Sequence, residues 1–131
     1  MPLYQHPLFT IDLNKVIAVN QNEDEASVTI RTVDQRKIEV ATGSAQEGVE
    51  LLNDIAGQWE QAVGPLLRYA RHAFLTSAIY SIQVEGDEVY IYLQEHSVSF
   101  GFSSSEQALE ILAELTSAWR RALGEEQPQT A

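Results

Sequence analysis

Three histidines, two acidic loops, a run of serines and a set of tyrosines are the residues of this chain that could do chemistry. His6, His72 and His96 could hold a metal or move a proton, but none stands four residues from another, so no zinc-type spacing is present. His6 and His72 follow Tyr4 and Tyr69 at similar points ahead of two apolar segments, and all three histidines read as structural or exposed. Glu23, Asp24 and Glu25 fall in one loop, Glu85, Asp87 and Glu88 in another. General acid–base work needs a desolvated carboxyl, whereas turn carboxylates are solvated. The run Asn20 to Glu25 lacks the alternation and the distal glutamate of a calcium loop. Ser103, Ser104 and Ser105 precede a helical pattern without the glycines and lysine of a phosphate loop, so helix capping accounts for them. There is no cysteine, which removes thiolate catalysis, disulfides and cysteine-ligated metals. No nucleophile, base and stabiliser assemble from these residues, and the expectation is a protein that is not an enzyme and uses no cofactor or metal.

The tyrosines are the more informative group. Val89, Ile91 and Leu93 alternate with Tyr90 and Tyr92, so the two rings share the strand face opposite the apolar one. Ser99 and Gly101 on the adjoining strand are small, and Tyr80 precedes the pair. A tyrosine buries area yet keeps a polar tip, which suits an interface. Tyr80, Tyr90, Tyr92, Ser99 and Gly101 are therefore the candidate interface. The first half of the chain offers Thr29, Arg31, Glu39 and Ala41 at comparable positions, a polar rather than aromatic face.

The elements that position these residues are written twice. Ser44, Glu47, Val49, Leu51, Leu52, Ile55, Trp59, Ala62 and Val63 align with Ser104, Gln107, Leu109, Ile111, Leu112, Leu115, Trp119, Ala122 and Leu123, and the pairing matches the only two tryptophans to each other. Serine followed three residues on by Glu47 or Gln107 has the spacing of a capping box. The apolar arc that follows is wide enough to meet both a sheet and the other helix. Ahead of each helix come three strands: Val16 to Val19, Val28 with Ile30, and Ile38 with Val40; then Ile79 to Val84, Val89 to Leu93, and Val98 to Phe102. Gly64 and Pro65 end the first helix, and 66–75 is ambiguous: its apolar and basic residues, including Arg68 and Arg71, could form a short helix leading into the second copy. The expected fold is α+β: a duplicated βββα unit, antiparallel sheets with two amphipathic helices in a pseudo-twofold arrangement. It is a single domain over 1–123, built from repeats at about 9–63 and 74–123 with a connecting segment 64–73 and a disordered tail at 124–131. Trp59, Trp119, Leu52, Leu112, Ile55 and Leu115 are expected to form the shared core, with about 3–5 kcal/mol lost on truncating either tryptophan.

At 131 residues and 44% hydrophobic content the chain can bury one sizeable core. Nineteen acidic against eight basic residues give −11, which repels phosphate backbones and anionic lipid. No apolar run is long enough to span a membrane, and Met1 to Thr10 lacks the basic and apolar regions of a secretory signal, so a cytoplasmic protein without membrane contact is expected. The leading expectation is a non-enzymatic interaction or assembly module whose partner is another protein or itself, as a homodimer. Repeated antiparallel strands followed by a helix are similar in layout, though in no residue motif, to the Whirly and PUR-repeat proteins. That resemblance implies single-stranded nucleic-acid binding, with tyrosines stacking on bases and Arg31, Arg36, Lys37, Arg68 and Arg71 as the basic residues. Size and acidity are also similar to type III secretion chaperones, which begin with a helix where this chain begins with strands.

Overall fold

The structure, a computed structural model, describes residues 2–22, 25–94 and 96–124. The chain is α+β, with ten strands in three antiparallel sheets and two helices among the described residues. Strands β1 (Leu3–His6) and β2 (Phe9–Asp12) form a hairpin closed by the His6–Phe9 pair. A 3₁₀ turn at Leu13–Lys15 leads into β3 (Val16–Asn22), β4 (Ser27–Thr32), β5 (Lys37–Ala41) and helix α1 (Ala45–Ala62). The same order follows again: hairpin β6 (Leu66–Tyr69) and β7 (His72–Leu75), a 3₁₀ turn at Thr76–Ala78, then β8 (Ile79–Glu85), β9 (Glu88–Leu93), β10 (His96–Gly101) and α2 (Ser105–Ala122).

Residues 66–75, ambiguous from sequence, form a hairpin, and each half opens with such a hairpin and a 3₁₀ turn ahead of its three strands, which the expected βββα order lacked. The physical reason lies in β7, which sits between β3 and β6 in a five-stranded sheet ordered β5-β4-β3-β7-β6. With both faces and both edges covered, Ala73, Phe74 and Leu75 are all buried, and consecutive apolar residues mask the two-residue period of a strand. The other sheets are β10-β9-β8 and the isolated β1-β2 pair. The expectation of disorder in the tail falls, from 125 onward, outside the described residues.

Local rules explain the helix starts. Ser44 Oγ accepts the Glu47 N–H at 3.1 Å and Ser104 Oγ accepts the Gln107 N–H at 3.2 Å. The reciprocal bonds reach one residue beyond the cap: Gly43 N–H donates to Glu47 and Ser103 N–H to Gln107. Gly48 lets α1 settle closely on β3, since a β-carbon there would lie 2.9 Å from Gln21 Cγ. Helix α1 packs on β3 and β4, and α2 on β8, β9 and β6; the two helices are not main neighbours of each other. The second surface each helix meets is a hairpin, because the Tyr4 hydroxyl of β1 donates to Asp54 of α1 at 2.6 Å while β6 lies along α2.

The core is continuous and unevenly shared. Leu51, Leu52, Ile55, Ala56 and Trp59 of α1 are buried, as is Leu115 of α2. Of the six residues expected in the shared core, Trp59, Leu52, Ile55 and Leu115 are buried, while Trp119 and Leu112 are half-buried. The reason is that the second sheet has three strands where the first has five.

Candidate functional site

The three-stranded sheet presents the tyrosines. Strand register puts Tyr92 between Ser81 and Ser97, and Tyr90 between Gln83 and Ser99, so these six side chains share one face. Val89, Ile91 and Leu93 point to the other side and are buried. Gly101 pairs with Glu88 at the end of the same ladder. A bulge between Ile79 and Ser81 swings Tyr80 onto the tyrosine side, 66% exposed, with its ring 6.1 Å from that of Tyr92. The Tyr90 and Tyr92 rings stack at 6.1 Å and 15°. The Tyr90 hydroxyl donates to the Glu88 carboxylate; that bond, helped by desolvation and the charges of Glu88 and Glu85, pushes its pKa up to about 12. The structure thus brings Tyr80, Tyr90, Tyr92 and Ser99 together as an aromatic band beside small hydroxyls, with the Glu88 carboxylate and Gly101 at its margin.

In the five-stranded sheet the matching face has a different fate. Ala18 and Asn20 of β3 and Thr29 of β4 are buried, and Asn20 and Ala18 pair across to His72 and Phe74 of β7. Beside them lies an open cleft of about 550 Å³ lined by Asn20, Gln21, Asn22, Ala70, Arg71, His72 and Phe100. Arg71 donates to Gln21 Oε1 and Arg31 to Asn20 Oδ1, both at 2.8 Å, while Asn22 Nδ2 donates to Ser27 and Thr29. The Asn20–Asn22 side chains are therefore engaged in an amide–guanidinium network. This network was not singled out from sequence; its only signal is a polar Asn-Gln-Asn end on an otherwise apolar strand.

His72 lies edge-on to Phe100, ring centres 4.8 Å apart, with its Nδ1 buried and unpartnered. Burial first, then the Arg31 charge, pushes its pKa from the usual 6.5 down to about 4. Between those values the unfolded chain binds a proton that the folded chain does not. Stability is therefore full above pH 6.5 and is lost as pH falls toward 4. The expected loss at pH 5 is about 2 kcal/mol, read as a lower urea midpoint than at pH 7. His72→Phe should remove this contribution, and an unchanged pH dependence in that variant would contradict it.

The remaining candidates lie apart from this region. His6 stacks on Phe9 at 4.9 Å, and His96 Nε2 lies 3.0 Å from the Thr32 carbonyl, so the three histidines sit on different elements with separate neighbours. Glu85 and Glu88 flank the β8–β9 turn, where Gly86 adopts φ +63°. Glu25 is an exposed turn residue, while Glu23 and Asp24 lie outside the described residues. Ser104 caps α2. Comparison with protein-family models, with curated proteins and with solved structures gives no match, so the functional reading rests on this chain's own residues.

Proposed function

We propose that the protein is a non-enzymatic interaction and assembly module, built from two copies of one strand-and-helix unit in a pseudo-twofold arrangement, that self-associates through the aromatic face of its second half. One observation carries this reading: one sheet face of the second half gathers Tyr80, 66% exposed, with half-buried Tyr90 and Tyr92, where the first half sets buried Ala18, Asn20 and Thr29 beside half-buried Arg31 and exposed Lys37 and Glu39. Three aromatic rings with hydroxyl tips bury area on association and still satisfy their polar atoms at a rim.

The test is light scattering after size exclusion across a concentration series. Tyr90→Ser combined with Tyr92→Ser should weaken self-association at least tenfold, equivalent to about 1.4 kcal/mol. A wild-type protein that stays monomeric at every concentration, with partner capture unchanged by the double substitution, overturns the reading.

The alternative, single-stranded nucleic-acid binding, draws support from the same tyrosines. The basic residues weigh against it: Arg36 pairs with Asp34, Arg68 with Glu60, and Arg31 and Arg71 are held by Asn20 and Gln21. Fluorescence anisotropy with labelled oligonucleotides at low and moderate salt separates the two, because phosphate-driven binding falls steeply with salt. No helix among the described residues is long and apolar enough to cross a membrane.

A further inference from the structure

We infer that the open edge of β8 is completed by the β1–β2 hairpin of a second copy of this chain, β2 pairing antiparallel with β8. The inference deepens the self-association reading and rests on it. Its template is inside the molecule. In the first half the edge of β3 is covered by the β6–β7 hairpin, with Ala18 opposite Phe74, Val19 opposite Ala73 and Asn20 opposite His72. Among the described residues the β8 edge in the second half has no such neighbour, and β1–β2 is the one hairpin paired only with itself.

The equivalence of the two places extends to single bonds. Leu13 N–H donates to the Pro2 carbonyl where Thr76 N–H donates to that of Pro65; Val33 N–H donates to Lys15 where Gln94 N–H donates to Ala78. β3 has a bulge between Val16 and Ala18, and β8 one between Ile79 and Ser81. The bulged residue is Ile17 in β3, 0% exposed, and Tyr80 in β8, 66% exposed. Val19 is buried and its counterpart Ile82 half-buried; Leu109 on α2 is 55% exposed. The second half carries the apolar pattern of a covered sheet without the cover.

Both edges are also lightly guarded, with charge only at one end. Natural sheets blunt free edges with charge or proline. β5 carries Lys37 and Glu39 and β6 carries Arg68, whereas β8 is charged only at its last residue, Glu85, and β2 only at its last, Asp12. The chain's own β1–β2 hairpin is tied to α1 by the Tyr4–Asp54 bond and forms no ladder with β8. The occupant is therefore a hairpin from another copy, still seated on its own α1, as β6–β7 is seated on α2. Carrying the internal register over puts Ser81 opposite Ile11, Ile82 opposite Thr10 and Gln83 opposite Phe9 of the other copy. Leu8, 70% exposed at the hairpin tip, then meets Val84. Gln21 N–H donates to the Arg71 carbonyl at 2.9 Å, so by alternation Val19 also aims its backbone at β7. Ile82 and Val84 likewise aim theirs outward. Two such contacts, one in each direction, close a dimer.

The absence of native cysteine makes disulfide trapping diagnostic. Thr10→Cys chains mixed with Ile82→Cys chains and mildly oxidised should give a species of twice the chain mass, since paired residues lie about 5.5 Å apart. Gln5→Cys in place of Thr10→Cys should give none, because its strand is one further from β8, about 10 Å away and beyond disulfide reach. Thr10→Pro, which removes only an outward-facing donor, should keep the thermal midpoint and weaken association at least tenfold. Association that persists in Thr10→Pro, yields no cross-link and is lost in the Tyr90→Ser, Tyr92→Ser variant overturns edge pairing while leaving the face reading intact. A wild-type monomer at all concentrations overturns both. A chain carrying both cysteines that closes within one monomer overturns the second copy as occupant.

Discussion

Trp59→Ala lowers folding stability by about 3–5 kcal/mol, whereas Trp119→Ala costs about half as much or less. The two residues occupy the same place in their helices, but Trp59 is 0% exposed and Trp119 only half-buried against the core. Removing an indole from a fully packed site forfeits its transfer energy and leaves a cavity; at a half-open site water fills the gap. The ring nitrogens reverse the order for a smaller change. Trp59 Nε1 is buried with no partner, while Trp119 Nε1 donates to the Thr76 carbonyl at 3.2 Å. Trp59→Phe therefore deletes an unsatisfied donor and is expected within about 1 kcal/mol of the parent, with part of the lost area offset. Trp119→Phe loses a hydrogen bond and leaves the Thr76 carbonyl with the Ile79 N–H alone. Urea unfolding of the four variants checks the series. Equal losses for the two alanine variants would show that the halves are covered alike, and would count against an uncovered second half.

That unevenness divides what the sequence discloses from what it hides. Both helices were legible because Ser44 with Glu47, and Ser104 with Gln107, combine a cap with a 3.6-residue apolar period. Strand β9 was legible because one of its faces is open, so Tyr90 and Tyr92 alternate cleanly with buried Val89, Ile91 and Leu93. β7 was not, because it is an interior strand. Its Ala73–Phe74–Leu75 run, together with Arg68 and Arg71, mimics a helix when its neighbours in space are unknown. The cleft at Asn20, Gln21, Asn22 and Arg71 was hidden for a related reason. It needs β3 and β7, whose residues are some fifty positions apart, to lie side by side. The tyrosine band was visible as an asymmetry between halves. Why one half is more open than the other is not written in the sequence, because the hairpin that leads into the second half pairs with β3 of the first.

Ala73→Pro tests that pairing at its centre and is expected to cost about 3 kcal/mol or more. Ala73 is 1% exposed and sits opposite Val19, itself fully buried, in the only ladder among the described residues that joins a strand of the second half to the first. Gln21 N–H bonding to Arg71 fixes the alternation, so the Ala73 N–H aims at β3. Proline deletes this donor, strands a buried carbonyl and places its ring against a packed neighbour. Ala73→Gly keeps the donor and should cost only about 1 kcal/mol, which separates loss of the bond from loss of the methyl group. The related substitution Thr10→Pro, at the same place in the other hairpin, faces no strand of its own chain and should cost under about 1 kcal/mol. Unfolding followed separately through Trp59 and Trp119, each in a chain with the other tryptophan replaced by phenylalanine, should be a single coincident transition in the parent. In Ala73→Pro the two signals should part, Trp119 reporting the earlier loss because α2 and its three-stranded sheet depend on β6 and β7 for their remaining cover. An Ala73→Pro protein within 1 kcal/mol of the parent, with coincident transitions, would mean that the β3–β7 ladder contributes little to joining the halves, and an intermolecular copy of that ladder would then have no energetic basis.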